Sequence, residues 1–380
     1  MKICHITSVH PRHDIRIFEK ECVSLAEAGY EVYLVVNDKM TDEITKRVHI
    51  ISTGHDSRGR IERMFKSVNY VLEKALEVDA EIYHLHDPEL FQIVDKLLGA
   101  GKKVIFDAHE DTETQILDKT WIPTVLRVPI AKLYGKYASR KMRKLSGVIT
   151  VTPSFVDKYS KINDNTVMVT NYPWLRSDNV EKSDSAVHED HEIGKHEDYV
   201  FFAGGISPQW CHKKIAEATC KLENMNYYFA GRGEDEYIAD ICSLGKHVRY
   251  LGVLQHAEVM NYYKEACIGM AVLNCTQVGN DGTLGNTKLF EVMRAGKPVI
   301  CSDLKIWREI VEGYKCGKCV NSEDEDAIAD AIRYIVNHPD EAETMGKNGK
   351  RAVEEKFNWE MQAKILIEFY GRIVDGFQNC

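Results

Sequence analysis

The chain has 380 residues, too many for one ordinary core, so two domains are expected from the roughly 100–200 residues that a single domain holds. A formal charge of −9 speaks against general affinity for nucleic acid, and no apolar run approaches the roughly 18–20 residues that cross a bilayer. The 11 cysteines, odd in number and scattered through apolar stretches, fit reduced, buried thiols rather than a disulfide framework.

Taken in chain order, Met1 to Val9, Tyr30 to Val36, Arg47 to Ile51, Ile82 to His86, Lys103 to Asp107 and Gly147 to Val151 are short apolar runs with helical patterns between most of them. Strands that alternate with helices predict βαβ units and a parallel sheet covered on both faces. The first run begins at Met1 and reads as a strand rather than a signal peptide, which predicts a cytoplasmic protein. Three polar clusters fall at strand C-terminal ends: His10, Arg12, His13, Asp14 and Arg16; His84, His86 and Asp87; and Asp107, His109, Glu110 and Asp111. Titratable residues gathered at such ends suggest a substrate pocket. From Lys119 to Val156 there is no acidic residue, while Lys132, Lys136, Arg140, Lys141, Arg143 and Lys144 alternate with apolar positions. A basic helix with an apolar stripe can lie on an anionic membrane, or can be a solvated face over an ordinary core contact.

Asn179 to Asp198 is polar and carries His188, His191 and His196 among acidic residues, as a linker or exposed loop would. Beyond it the alternation resumes, with expected strands Tyr199 to Ala203, Tyr227 to Ala230, Val248 to Leu251, Ile268 to Leu273 and Pro298 to Cys301. Gly204-Gly205 and Gly231-Arg232-Gly233 follow the first two, the kind of turn that can cradle a phosphate. Gly285 to Ile300 reads as a glycine-bearing loop, a short helix and a strand, with Asn286 as the expected N-cap and Gly296 past the helix end. The backbone of Gly285, Asn286 and Thr287 would then face an anion. Lys288 and Glu291, three apart, share one helix face and could hold the two ends of a ribose diphosphate. Cys316-x-x-Cys319 lacks the second pair that a zinc site needs. Asn358 to Phe377 has a helical pattern expected to pack across both domains. No HExxH, no G-x-S-x-G, no Walker lysine loop and no G-x-G-x-x-G after the first strand occurs.

The segments HPRHDIRIFEKECVSLAEAGYEV, HLHDPEL, VIFDAHED, FFAGGISPQW, GTLGNTKLFEVMRAGKPVICSD and NWE together resemble glycosyltransferase family 4, whose members have the GT-B fold. That resemblance implies an α/β fold of two doubly wound, Rossmann-like domains facing a cleft. Residues 1–178 would form the acceptor-side domain, 179–198 a linker, 199–357 the nucleotide-sugar domain and 358–380 a helix that crosses back. It implies retaining transfer from a nucleotide diphosphate sugar, expected to be a UDP-sugar, to a glycan or lipid-linked glycan in bacterial surface-polysaccharide synthesis. The nucleotide sugar is then a substrate, and neither a cofactor nor a metal is expected. By the same resemblance His109, Lys288 and Glu291 are catalytic, with Glu291 on the ribose hydroxyls. Gly204, Gly205, Lys213, Lys214, Gly285, Asn286, Thr287 and Leu289 would hold the rest of the donor, and His10, His13, Asp14, Arg16 and Glu110 the acceptor.

Two positions depart from the family pattern. The first glutamate of its E-x7-E signature falls at Thr283, which alters the sugar contact or moves it to Asp281. The family's Arg/Lys pair is missing near Gly205, so Lys213, Lys214 and Lys288 would have to meet the phosphate charge. Two other readings stay open: a GT-B sugar-nucleotide epimerase, and a nucleotide-sugar-binding subunit with weak or no turnover. Peripheral attachment to the inner face of a membrane through 119–156 is the remaining expectation.

Overall fold

The structure is a computed structural model that describes residues 1–56, 66–109, 111–119, 121–176, 197–274, 284 and 286–376. The expectations placed on Glu110, Asp281, Thr283, Gly285 and the histidines of the polar tract lie outside the described residues. The chain divides into two compact units, Met1–Asn171 with Met361–Cys380, and Tyr172–Glu360. Both are α/β, and each is built on a sheet that is parallel except at one edge of the first.

In the first unit the strands are β1 (Lys2–Ile6), β2 (Glu31–Val36), β3 (Glu43–Thr45), β4 (Val48–Ser52), β5 (Ile82–Leu85), β6 (Lys103–Ala108), β7 (Gly147–Thr150) and β8 (Thr166–Met168). They are ordered β3-β4-β2-β1-β5-β6-β7-β8, and only the β3–β4 pair is antiparallel. The central strands are buried along almost their whole length, as helices on both faces require. The order reverses between β1 and β5, whose register sets His5 beside His84. A sheet opens a crevice at such a switch point, beyond the strand C-termini. All three polar clusters of the first half gather there.

In the second unit β9 (Tyr199–Ala203), β10 (Asn226–Ala230), β11 (Val248–Tyr250), β12 (Ile268–Ala271), β13 (Val299–Ser302) and β14 (Gly317–Val320) are ordered β11-β10-β9-β12-β13-β14. Its switch point lies between β9 and β12, so Gly204, at the end of β9, stands at the crevice. Each strand expected from the sequence is present within a few residues. Those not anticipated, Glu43–Thr45, Thr166–Met168 and Gly317–Val320, are three or four residues long. Such segments are too short and too polar to show an apolar period.

The helix Lys288–Arg294 begins one residue later than expected: Thr287, not Asn286, is the N-cap, and the Asn286 side chain accepts from Lys288 N at 3.2 Å. Gly296 has φ +74° and ends it as expected. The last helix, Trp359–Asp375, buries Leu366, Phe369 and Tyr370 completely. From Met361 onward it belongs to the first unit. There Phe369 lies against Gly147 of β7, where a Cβ would come within 2.4 Å of the ring. The Tyr370 hydroxyl is 2.8 Å from His84 Nδ1 and 3.4 Å from His5 Nε2. Tyr370→Phe should lower the unfolding free energy of this unit by about 1–3 kcal/mol, because it strands a buried imidazole nitrogen. Denaturant unfolding followed by the tyrosine and tryptophan signals measures it.

Candidate active site

In the second unit the turn after β9 is shaped around Lys288. Gly204 has φ +146°, and a Cβ there would stand 2.0 Å from Lys288 Cε, so only glycine lets the lysine cross the turn. Gly231, after β10, packs as closely on Gly204, with room for no Cβ between them. Lys288 Nζ lies 4.1 Å from the centroid of the Trp210 ring. Among the described residues no carbonyl or carboxylate takes a hydrogen bond from it. Burial lowers the Lys288 pKa, and the Glu291 charge opposes that shift. Glu291 also acts on the Tyr263 phenol, which burial, first, and this carboxylate, second, push upward. The Tyr263 hydroxyl in turn accepts from Ala203 N at 3.2 Å. An ammonium with unspent donors beside two glycine turns is suited to an anion such as a phosphate.

Several donor-side expectations need correction. Lys213 is held by Asp240 at 3.0 Å, and Lys214 by Glu325 at 2.8 Å and Glu217 at 3.3 Å, so both are committed to carboxylates. The helix His212–Cys220 packs against the helices that bear Asp240 and Glu325, which brings those carboxylates to the two lysines. The Leu289 side chain is fully buried in the core. Gly205 has open space around it, while Asn286 and Thr287 remain partly exposed at the helix start. Gly231, expected in a phosphate-cradling turn, stands at this site, and Trp210 and Tyr263 belong to it without having been singled out. The run Gly-Ile-Ser-Pro-Gln-Trp was the available signal for Trp210.

In the first unit the polar clusters divide into an outer and an inner layer. The outer layer holds His10, with Nδ1 3.5 Å from Asp14 and Nε2 3.4 Å from Asp87. Asp87 is itself fixed by Ser8 N at 2.6 Å and the Thr7 hydroxyl at 2.8 Å. The ring of His109 meets that of His10 edge-on at 5.4 Å. His13 is half exposed beside Glu43. Asp14 and Arg16 were expected to contact acceptor, and the structure gives them other work. Asp14 caps the helix Ile15–Cys22 by accepting from Arg16 N and Ile17 N. Arg16 is buried, with Nε 2.8 Å from Asp107 Oδ2, Nη2 3.1 Å from Asp107 Oδ1 and Nη1 3.0 Å from Val169 O. Buried and tied to Asp107 and Val169, the Arg16 side chain serves the packing of the first unit.

The inner layer is buried. His5 Nδ1 and His86 Nε2 are 2.9 Å apart, and His86 Nδ1 and His109 Nδ1 stand 3.6 Å and 3.7 Å from the same Asp107 Oδ2. Burial by itself would raise the Asp107 pKa, but Arg16 overrides it and holds the carboxyl well below its ordinary value. Glu21 has Oε1 3.1 Å from Arg16 Nε, yet burial dominates and raises its pKa well above the ordinary value of 4.5, Arg16 opposing. Burial first, and the neighbouring His86 second, lower both His5 and His84. Among the described residues, Arg16 with Asp107 is the ion pair at the centre of this layer, and burial works against charge on Glu21, His5 and His84.

His5, Glu21, His84 and His86 could present four ligand atoms within 4.8 Å of one another to a metal ion. The donor set fits poorly. Two of the imidazoles already share a proton, His84 Nδ1 is bonded to Tyr370, and a guanidinium lies on Glu21, repelling any cation there.

Residues 183–352 match the family model described as glycosyl transferases group 1. That match covers a little under half of the chain. Over 150 residues it is 27% identical to phosphatidyl-myo-inositol mannosyltransferase of Mycobacterium leprae, covering 39% of this chain and 38% of that one. Over 132 residues it is 26% identical to a GDP-mannose-dependent phosphatidylinositol monomannoside mannosyltransferase of Mycobacterium tuberculosis, covering 35% and 34%. The matched stretches thus span little more than a third of these curated relatives. In three dimensions the chain is similar to sucrose-phosphate synthase from Thermosynechococcus elongatus, with TM-score 0.74, 17% identity and 99% of each chain covered. It is also similar to Anabaena HepE in complex with UDP-glucose, with TM-score 0.69, 12% identity and 98% and 100% covered. These likenesses identify the fold as GT-B.

The inner layer yields a pH test. Folded Glu21 keeps a proton that the unfolded chain releases as pH rises above about 4.5, so this group's share of stability is present below that value and lost on going up toward its raised folded pKa. Glu21→Gln, which cannot ionise, should be more stable than the native protein at pH 7, the advantage vanishing near pH 4.5. Denaturant midpoints at the two pH values check it.

Proposed function

We propose that this protein is a retaining glycosyltransferase that moves a sugar from a nucleotide diphosphate sugar, a UDP-sugar, to a glycan or lipid-linked glycan acceptor in the synthesis of a bacterial surface polysaccharide. The observation that carries the donor half is Lys288, desolvated over Gly204 with its donors unspent. Glycosyl transfer breaks the bond between the anomeric carbon and a phosphate oxygen, leaving charge on the diphosphate and an oxocarbenium-like sugar. Fixed positive charge at the leaving group is what such a step needs most. The new bond forms from the acceptor oxygen to the anomeric carbon. The departing phosphate oxygen accepts the acceptor's proton, and no pair of flanking carboxylates is needed of the kind a glycosidase uses. In this reading Glu291, one helical turn beyond Lys288, binds the ribose hydroxyls, and His109 and His10 of the first unit bind sugar and acceptor. The names of the mycobacterial relatives support a lipid-linked acceptor and would also suit a GDP-sugar.

Calorimetric titration with UDP and GDP, followed by turnover with the matching sugar nucleotides, tests this reading. Glu291→Ala should weaken nucleotide binding by about 1.5–3 kcal/mol per lost charged hydrogen bond, whereas Lys288→Ala should lower kcat more than it raises KM. Unchanged affinity in the first variant, or conversion of the sugar nucleotide without any acceptor, would count against transfer.

The acceptor reading extends to the helix Thr124–Met142. It buries Ala131, Gly135, Ala138 and Met142 and leaves Leu126, Ile130, Leu133 and Tyr137 exposed, Leu133 by 71%. Beside that apolar stripe runs a basic one of Lys132, Lys136, Arg140 and Arg143, all exposed. Lys141 and Lys144 are instead tied to Asp95. Adjacent apolar and basic stripes suit an anionic bilayer, each cation adding about 1 kcal/mol near the surface. The protein should float with anionic but not neutral vesicles and release as salt rises. Replacing Leu126 and Leu133 by Ser should abolish flotation, and if flotation persists the helix is not the contact.

A further inference from the structure

We propose that Asp107 is a positioning residue that fixes the imidazole of His109 in the tautomer with its proton on Nδ1, leaving the Nε2 lone pair as a hydrogen-bond acceptor on the accessible part of the ring. The inference about catalysis rests on the proposed glycosyl transfer; the inference about the tautomer does not.

Asp107 is the fifth residue of β6 and His109 follows the strand's end, so the strand itself sets the carboxylate behind the ring. The carboxylate is anchored on both oxygens by Arg16, which cannot lose its proton. It can therefore only accept. His109 Nδ1 is buried and has no hydrogen-bond partner, while 18% of the side chain stays exposed. At 3.7 Å the contact with Oδ2 is longer than a hydrogen bond, yet among the described residues it is the only charge that Nδ1 faces so closely. An N–H dipole aimed at a fixed carboxylate in a dry surrounding is favoured, and a lone pair aimed there is repelled.

The same rule runs back through the layer, and its protons balance. His86 Nδ1, 3.6 Å from the same oxygen, must likewise carry its proton, which makes His86 Nε2 an acceptor. His5 Nδ1, 2.9 Å away, then donates to it, and His5 Nε2 is left to accept from the Tyr370 hydroxyl. That hydroxyl in turn accepts from His84 Nδ1 at 2.8 Å. From Tyr370 to Asp107 every proton points toward the carboxylate, and His109 approaches it from the other side. A lone pair at His109 Nε2 receives a sugar hydroxyl. It cannot donate to a phosphate.

Ring nitrogen NMR on the full chain labelled with 15N-histidine tests the tautomer, the His109 signal being assigned by its disappearance in His109→Gln. The expected spectrum shows protonated Nδ1 and unprotonated Nε2 at neutral pH. Asp107→Leu, in which Glu21 remains within 3.1 Å to take up Arg16, should give a mixture that includes protonated Nε2. A native spectrum with the proton on Nε2 overturns the proposal, and this result stands even if the Leu variant does not fold. An unchanged tautomer in a folded Asp107→Leu protein overturns it as well.

Kinetics separate positioning from structure. Asp107→Leu should lower kcat/KM by about 10–100-fold, as loss of an imidazole's orienting partner does, but should cost nothing further in a His109→Ala background. Equal losses in both backgrounds would make Asp107 merely structural and overturn its positioning role. If His109→Ala alone retains full transfer, it is the proposed role of His109 that fails, while the NMR result still decides the tautomer.

Discussion

The first unit is organised around one buried ion pair, Arg16 with Asp107. Two charges removed from water need close geometry and further hydrogen bonds to offset their desolvation. Arg16 meets that need with both carboxylate oxygens and the Val169 carbonyl. The pair joins the first helix to the end of β6 and so fixes where the polar clusters stand. It also decides the charge of everything near it. Glu21 and the three inner histidines sit within reach of a pair that is already neutral overall, and burial leaves them uncharged. An extra proton or cation there would have no partner.

The second unit solves a different problem with fewer groups. Lys288 carries a charge into a largely buried position with no ion pair among the described residues, between a glycine turn and the face of Trp210. Burial depresses its pKa, and an incoming anion would reverse that cost. The first unit's cation is thus spent on structure and the second unit's is held in reserve. That contrast separates scaffold from binding site better than residue type does, since Arg16, Lys213, Lys214 and Lys288 are all basic.

Alternating apolar runs and helical patterns were enough to read two doubly wound halves, the glycine turns and the short helix that bears Lys288 and Glu291. Each of these is a local property: strands buried on both faces need continuous apolar runs, and helix ends need caps and glycines within a few residues. The short strands escaped because three residues carry no period. The sheet orders, with switch points at β1/β5 and β9/β12, depend on pairing between distant segments and were not legible.

The same division holds for the sites. The sequence by itself placed histidines and carboxylates at strand ends and a lysine at a helix start, because those positions follow from the alternation. Only the tertiary structure decided their partners. Asp14 became a cap, Arg16 took Asp107, Lys213 and Lys214 turned to Asp240 and Glu325, and Trp210 came to lie on Lys288. A side chain's charge is written in the residue, but whether that charge is spent depends on what the fold brings within about 3–4 Å of it, and that distance is fixed by contacts between residues far apart in the chain.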